Sequence, residues 1–479
     1  MRNLFLGSVA LIALVGVADA ADMPVKALRA APPVDYLWDG FYVGGYYGDA
    51  ISQSSVRTPI LSDPVNQPGA RIGEINVNDH QFTAGVTAGY NRKIGSNFLV
   101  GVEGDVGYLG FNRTFQEYND VVAVGEKADW YATLRARAGY LTGPSLLYVT
   151  GGAAFVHTTD TFGGNVPSPI SAPPFFAPAA STTTRTGWTA GGGIETKLSR
   201  SWSAKTEYLY IDTGTNSFVA NPFNLNATTT FSHNIHVFKT GLNYNLSGPG
   251  DGISSLFSPA MLPSNHNWGG VYVGLNAGGG MSNFGASGAP NPVTLGPRIG
   301  QNDINGNGFT GGVQAGYNYM ITPRYFVGVE GDLGYLGMQQ NVFDWFDTTA
   351  NFTMKTDWYG TARVRAGVST GPALLYVTGG AAWVHMADGF GPTVPPSAIT
   401  TGDLSWTTRS GWTVGGGTEV ALDAHWSAKI ETLYISTGIR LHNNVPNGNG
   451  FIADFHERIA IARAGLNYKF GNDVGTARY

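Results

Sequence analysis

Two stretches of this chain are near copies of each other, and each can lie flat in only one way. Asp129 to His157 reads DWYATLRARAGYLTGPSLLYVTGGAAFVH, Asp357 to His385 reads DWYGTARVRAGVSTGPALLYVTGGAAWVH, and 22 of the 29 positions are identical. Each copy is an alternating run, a Thr-Gly-Pro turn and a second run of small and aromatic residues. A period of two is the period of a strand, so each copy reads as a β-hairpin. In the first run Trp130, Ala132, Leu134, Ala136 and Ala138 share one side, and Tyr131, Thr133, Arg135, Arg137 and Gly139 share the other. One face is oily and the other carries two arginines. A membrane barrel, with lipid outside and a polar lumen, meets both demands.

Composition supports that geometry. Charged residues make up 13% of the 479, about half the ~25% usual in soluble domains, yet mean hydropathy is only -0.06. Beyond the N-terminus no apolar run reaches the ~18 residues of a membrane helix. Arg2, the apolar stretch Leu4 to Ala18 and the Ala18-Asp19-Ala20 site read as a cleaved secretory signal over residues 1–20, which implies export. With no Cys there is no disulfide framework. A net charge of -5 and no basic patch argue against a nucleic-acid partner.

Residues 21–36 are Ala/Pro-rich and read as a periplasmic lead-in, followed by two homologous units at 37–246 and 268–470. WDGFYVGGYYG at Trp38 returns as WGGVYVGLNAG at Trp268. TAGVTAGYN at Thr83 returns as TGGVQAGYN at Thr310, and RTGWTAGGGIET at Arg185 as RSGWTVGGGTEV at Arg409. WSAKTEYLYIDTG at Trp202 returns as WSAKIETLYISTG at Trp426, and a linker at 247–267 joins the units. Such a unit is far longer than a solenoid repeat. Eight strands are expected in the first, near 40–53, 81–94, 98–115, 130–142, 145–162, 185–199, 201–217 and 233–246. Short turns such as Thr142-Gly143-Pro144 alternate with long loops such as 163–184, the pattern of outer-membrane barrels.

Four motifs resemble one family: W-x-G-x-Y-V-G at the start, V-G-V-E-G-D in the third strand, paired arginines with L-L-Y-V-T-G-G-A, and a closing A-G-L-N-Y-x-F. The chain is similar to the alphaproteobacterial outer-membrane immunogenic β-barrel family, whose transmembrane part is like the eight-stranded OmpA-type barrel. The resemblance covers nearly the whole mature chain, once per copy. It implies an all-β, antiparallel transmembrane fold in the outer membrane, contact with outer-membrane lipid and lipopolysaccharide, and insertion by the barrel assembly machinery. Members usually carry one barrel and end on an aromatic residue. Here there are two units, and the tail 471–479 follows Phe470.

Projecting the alternation inward collects Glu103, Asp105, Arg135, Arg137, Glu195, Lys205, Glu207 and Lys239 in the first unit. The second unit repeats them as Glu330, Asp332, Arg363, Arg365, Glu419, Lys429, Glu431 and Arg463. Each set has four acids and four bases and is neutral by itself. The interior of an eight-stranded barrel is just wide enough for side chains to fill, and charges buried there must be paired. Self-neutrality favours two tandem barrels with a lumen ion-pair network and a structural, surface-loop role. The alternative is one sixteen-stranded porin-like barrel with the same residues lining an aqueous pore.

Other chemistry is weak. His157 and Asp160 recur as His385 and Asp388, but three residues apart on a strand they face opposite ways. No G-x-S-x-G elbow is present, so no catalytic residue is expected. Asp303 to Gly308 resembles half an EF-hand loop with Gln314 at the twelfth position, and reads as an Asn-Gly loop. No metal site or cofactor is expected, and a small ligand such as haemin at the outer loops is a third reading. Trp130, Trp188, Trp202, Trp268, Trp358, Trp412 and Trp426 are expected in the interfacial girdles.

Overall fold

The fold is known from a computed structural model that describes residues 36–60, 71–116, 123–163, 179–220, 227–248, 266–289, 300–343, 351–391, 405–444 and 451–471. The signal segment lies outside them, as do most of the lead-in, the linker and the tail. Among the described residues every regular element is a strand. The first unit holds β1 (Gly40–Ile60), β2 (Arg71–Ile94), β3 (Phe98–Gln116), β4 (Ala123–Thr142), β5 (Ser145–Gly163), β6 (Ala179–Lys197), β7 (Trp202–Ala220) and β8 (Ala227–Asn245). The second holds β9 (Gly270–Ala289), β10 (Gly300–Met320), β11 (Tyr325–Leu336), β12 (Gln339–Phe343), β13 (Asn351–Ser369), β14 (Ala373–Gly391), β15 (Ser405–Ala421), β16 (Trp426–Asn444) and β17 (Phe451–Lys469).

Each unit closes on itself. Neighbours pair antiparallel in chain order, and β1 returns to β8 with Tyr42 opposite Asn245 and Arg57 opposite Thr230. In the second unit β17 returns to β9, and β11 pairs directly with β13. A sixteen-stranded barrel would need β8 against β9 and β17 against β1, and the edges that would make those pairs are already used. The one-barrel alternative is therefore overturned. Closure satisfies every strand edge, which hydrocarbon demands.

Segments β11 and β12 are one strand interrupted at Gly337 and Met338. The interruption matches a register shift in the first unit between Tyr108 and Phe111, where Gly110 takes φ 64°. Counted this way, each barrel has eight strands. The strands run 17 to 24 residues (β11 and β12 apart), well beyond the ~9–11 that cross a bilayer. The excess is at the loop side: β1 runs on to Ile60 and β2 begins at Arg71. Asp303 to Gly308 lies inside β10, paired with β9 through Asn305 opposite Asn283, so the Asn-Gly loop reading is corrected to strand.

Alternation places the side chains. In β11 buried and exposed residues alternate without a break from Tyr325 to Leu336. In β3 Val100, Val102, Val106 and Tyr108 face outward, while Glu103 and Asp105 face the lumen. At the turn side, Gly95 and Gly143 take φ 65° and 67°, backbone that only glycine adopts without strain. Asp423 accepts the backbone N–H groups of His425 and Trp426 at 2.8 and 2.7 Å and so holds the β15–β16 turn. Trp130, Trp188, Trp358, Trp412 and Trp426 stand on the outer surface. Trp268 does not: it is 5% exposed and sits in the turn-side mouth, where its indole N–H donates to the Gly371 carbonyl at 2.7 Å. Its place in the girdle is corrected. Its strand has not yet begun, so strand parity does not govern it.

Candidate functional site

The lumen of each barrel is filled in layers. At the turn-side mouth of the first, Trp38 packs with Leu99, Leu141, Leu146 and Tyr148. The Lys197 ammonium lies 4.6 Å from the Trp38 ring centre, a cation–π contact. The charged layer comes next, then an apolar layer that includes Tyr46, Leu109, Phe111, Tyr131, Val156, Leu209, Ile211, Ile235 and Val237. The second barrel repeats this order, with Trp268, Phe326, Leu374 and Tyr376 below. Above lie Leu336, Met338, Tyr359, Val384, Met386, Leu433, Ile435, Ile459 and Ile461.

All eight candidate residues of the first copy meet in the charged layer, each no more than 3% exposed. Arg135 donates to Glu207 at 2.8 Å and also to Glu103 and Asp105, while its Nε–H donates to Thr133 at 3.1 Å. Arg137 donates to Glu195 at 2.7 Å, to Glu103 at 3.1 Å and to the Tyr42 hydroxyl at 2.9 Å. The Tyr42 hydroxyl in turn donates to Glu103 at 2.6 Å. Lys205 reaches Glu103 at 2.9 Å; Lys239 reaches Asp105 at 2.7 Å and Glu207 at 2.9 Å. Ser203 and Asn243 complete the shell of Glu195 at 2.6 and 3.0 Å.

The second copy is built alike. Arg363 binds Glu330, Asp332 (2.7 Å) and Glu431 (3.1 Å); Arg365 binds Glu330 (3.1 Å), Glu419 (2.9 Å) and Tyr272 (2.7 Å). Lys429 lies 3.1 Å from Glu330, and Arg463 meets Asp332 at 3.0 Å and Glu431 at 2.5 Å. Charge pairing in a dry interior needs such multidentate geometry to offset desolvation. Carboxylate oxygens of Glu103, Asp105 and Glu207 converge within 4.8 Å, a grouping that could hold a metal ion. Here the Arg135 guanidinium binds all three, and Lys205 and Lys239 complete the neutralisation, so the cluster is built around side-chain cations.

A second polar group lies beyond the apolar layer of the first barrel, and sequence reasoning missed it. His233 sits between two carboxylates, with Nδ1 2.8 Å from Glu126 and Nε2 2.9 Å from Asp160. Ser54 Oγ is also 2.8 Å from His233 Nδ1, and Ser52 donates to Glu126 at 2.8 Å. Ser54, His233 and Asp160 are in line, but with the ring nitrogens exchanged relative to a serine hydrolase triad, where Ser meets Nε2 and Asp meets Nδ1. Glu126 competes for the same ring nitrogen, and Ser54, His233 and Asp160 are at most 3% exposed, which leaves no room for a substrate. His157 stacks on Trp130 at 5.8 Å on the outer surface, away from Asp160. The side chain of Asp388 lies outside the described residues. His233 was legible, since it shares parity with Lys239. Glu126 was not, because a register shift between Ala128 and Trp130 reverses the alternation of β4.

Two closed, filled, lipid-faced barrels define an integral outer-membrane β-barrel protein. The model of the outer membrane protein β-barrel domain matches twice, over residues 8–245 and 253–470, and the chain belongs to that family. A 31 kDa outer-membrane immunogenic protein of Brucella melitensis is 32% identical over 225 residues, spanning 46% of this chain and 90% of the relative. A 22 kDa outer membrane protein of Rhizobium leguminosarum is 29% identical, spanning 40% of this chain and 69% of the relative. Among solved structures, Neisserial surface protein A aligns with 42% of this chain and 97% of its own at 16% identity and a TM-score of 0.22.

Proposed function

We propose that this protein is a structural component of the outer membrane: two plugged barrels that reinforce the envelope and hold long loops at the surface, without catalysis. The observation that carries it is the layered lumen, in which an ion-paired layer lies between a tryptophan-capped mouth and an apolar layer in both copies. A pore for ions needs a wet, charge-lined path, and apolar residues close the bore instead. The relay-like Ser54–His233–Asp160 line is sealed, which fits a role without turnover. Outer-membrane lipid and lipopolysaccharide are the surroundings this role requires, with the barrel assembly machinery acting during insertion. A deletion strain tests it: loss of the protein is expected to raise sensitivity to bile salts and detergents, with rescue by a copy whose Ser54 is replaced by Ala. Failure of that copy to rescue would point to the relay, and unchanged sensitivity on deletion would contradict an envelope role.

A further inference from the structure

The two barrels stand side by side, and their contacts come in pairs that exchange the copies. Ile194 packs with Val420 and Ala428 and against Ile430. Thr206 Oγ lies 2.9 Å from Thr418 Oγ. Ile194 and Thr418 occupy equivalent positions in the repeat, as do Thr206 and Ile430, so one contact maps onto the other. Ile51 meets Met281, its own counterpart. This is the pattern of an isologous, two-fold interface written into one chain.

Around this seam the walls part and leave a half-open cleft of about 2480 Å³, lined by Phe82, Val149 and Leu242 of the first barrel and Leu275, Trp412 and Val414 of the second, among others. It is larger than the ~300–1,000 Å³ of drug-sized pockets. Its walls are continuous with the lipid-facing band, so hydrocarbon is the medium that reaches it.

The two walls have diverged. The first barrel carries Asp49, His80, Tyr208 and His236; the equivalent positions of the second are Gly279, Asn307, Thr432 and Ala460. His236 is 8% exposed and forms part of the cavity wall; its Nδ1 is 2.8 Å from the Tyr208 hydroxyl, and its Nε2 has no partner. A polar group on a lipid-facing strand is costly and marks a functional position. His236 lies 5.1 Å from Tyr210, which lies 5.3 Å from Trp188. That places it in the loop-side aromatic girdle, the depth at which acyl carbonyls and headgroups lie. Asp49 lines the cavity, with His80 Nε2 2.7 Å from its carboxylate, and exposed Arg458 stands on the same face of β17 as the cavity-lining Ala460, two residues along the strand.

We infer that this cleft is a binding site for a zwitterionic glycerophospholipid. Its chains occupy the cavity, an acyl carbonyl accepts from His236 after a small turn of the ring, and its phosphate and ammonium lie toward Arg458 and Asp49. A polyanionic headgroup such as that of lipid A matches a site that offers an acid, Asp49, beside a base, Arg458, poorly.

Native mass spectrometry of the full chain in mild detergent, with dioleoyl-phosphatidylethanolamine in one arm and lipid A in another, tests this. One phospholipid is expected to survive detergent removal. A Cβ at Gly279 meets nothing within 4 Å, so Gly279→Phe projects into the cleft and is expected to abolish retention. His236→Ala, the residue found at the second barrel's equivalent position, should weaken retention roughly three- to tenfold, the loss of one hydrogen bond. Heat-modifiable gel mobility reports that each variant is folded; should Gly279→Phe not fold, His236→Ala decides. No retained phospholipid, equal retention by the variants, or preference for lipid A would overturn the assignment.

Discussion

Single residues show how the two lumens solve one packing problem differently. In the first, the Lys239 ammonium lies 4.4 Å from the Tyr46 ring centre, and the Tyr46 hydroxyl is 2.9 Å from that of Tyr131. In the second, Asn276 stands where Tyr46 would be, and the larger Arg463 stands in place of Lys239. Arg463 donates to the Tyr359 hydroxyl at 2.8 Å, taking up the partner that the lost tyrosine would have bound. Tyr46→Asn is therefore expected to destabilise the first barrel by about 3–5 kcal/mol, as large-to-small core changes do. Adding Lys239→Arg should recover part of that, with an interaction energy of roughly 0.5–3 kcal/mol in a double-mutant cycle. Denaturant unfolding in detergent micelles measures both, and strict additivity would remove the compensation argument. Arg137 tests pairing itself. Arg137→Leu leaves Glu195 and Glu103 each short of a cation in a dry interior, at an expected loss of about 3–5 kcal/mol. An unchanged unfolding midpoint would mean that those carboxylates do not depend on it.

At the level of elements, what could be read ahead follows from where the period of two holds. Through the membrane band the alternation is unbroken, so the faces of Glu103, Asp105, Arg135 and Arg137 were readable from spacing alone. Strand count and turn placement followed from Thr142-Gly143-Pro144 and its counterparts, where glycine backbone fixes the turn. Above the band the rule fails at irregularities. Shifts at Ala128/Trp130 and Asp212/Thr215 bring Glu126 and Asn216 onto the lumen side, where Asn216 donates to Asp160 at 3.0 Å. Gly214, at φ 65°, marks the second shift as Gly110 marks the one in β3, but no glycine marks the shift at Ala128/Trp130, so Glu126 and with it the Glu126–His233–Asp160 group were invisible although each member is plain in the sequence. Below the band Trp38 and Trp268 escape for another reason: they precede their strands, and only the closed mouth gives them something to cover.

At the scale of the whole molecule, composition cannot separate one wide barrel from two narrow ones, because both need the same sixteen charges. Self-neutrality of each set pointed to two, and the seams β1–β8 and β9–β17 are where that preference becomes structure. Duplication also let the two copies of one face diverge, with histidine, aspartate and tyrosine on one side and glycine, asparagine, threonine and alanine on the other. Conductance of the refolded mature protein in a planar bilayer tests the account most directly, with folding confirmed by heat-modifiable mobility. Two filled barrels predict a silent membrane at any protein load. Large, stable, ohmic steps would contradict the account and restore the wide pore with the sixteen charges along its wall.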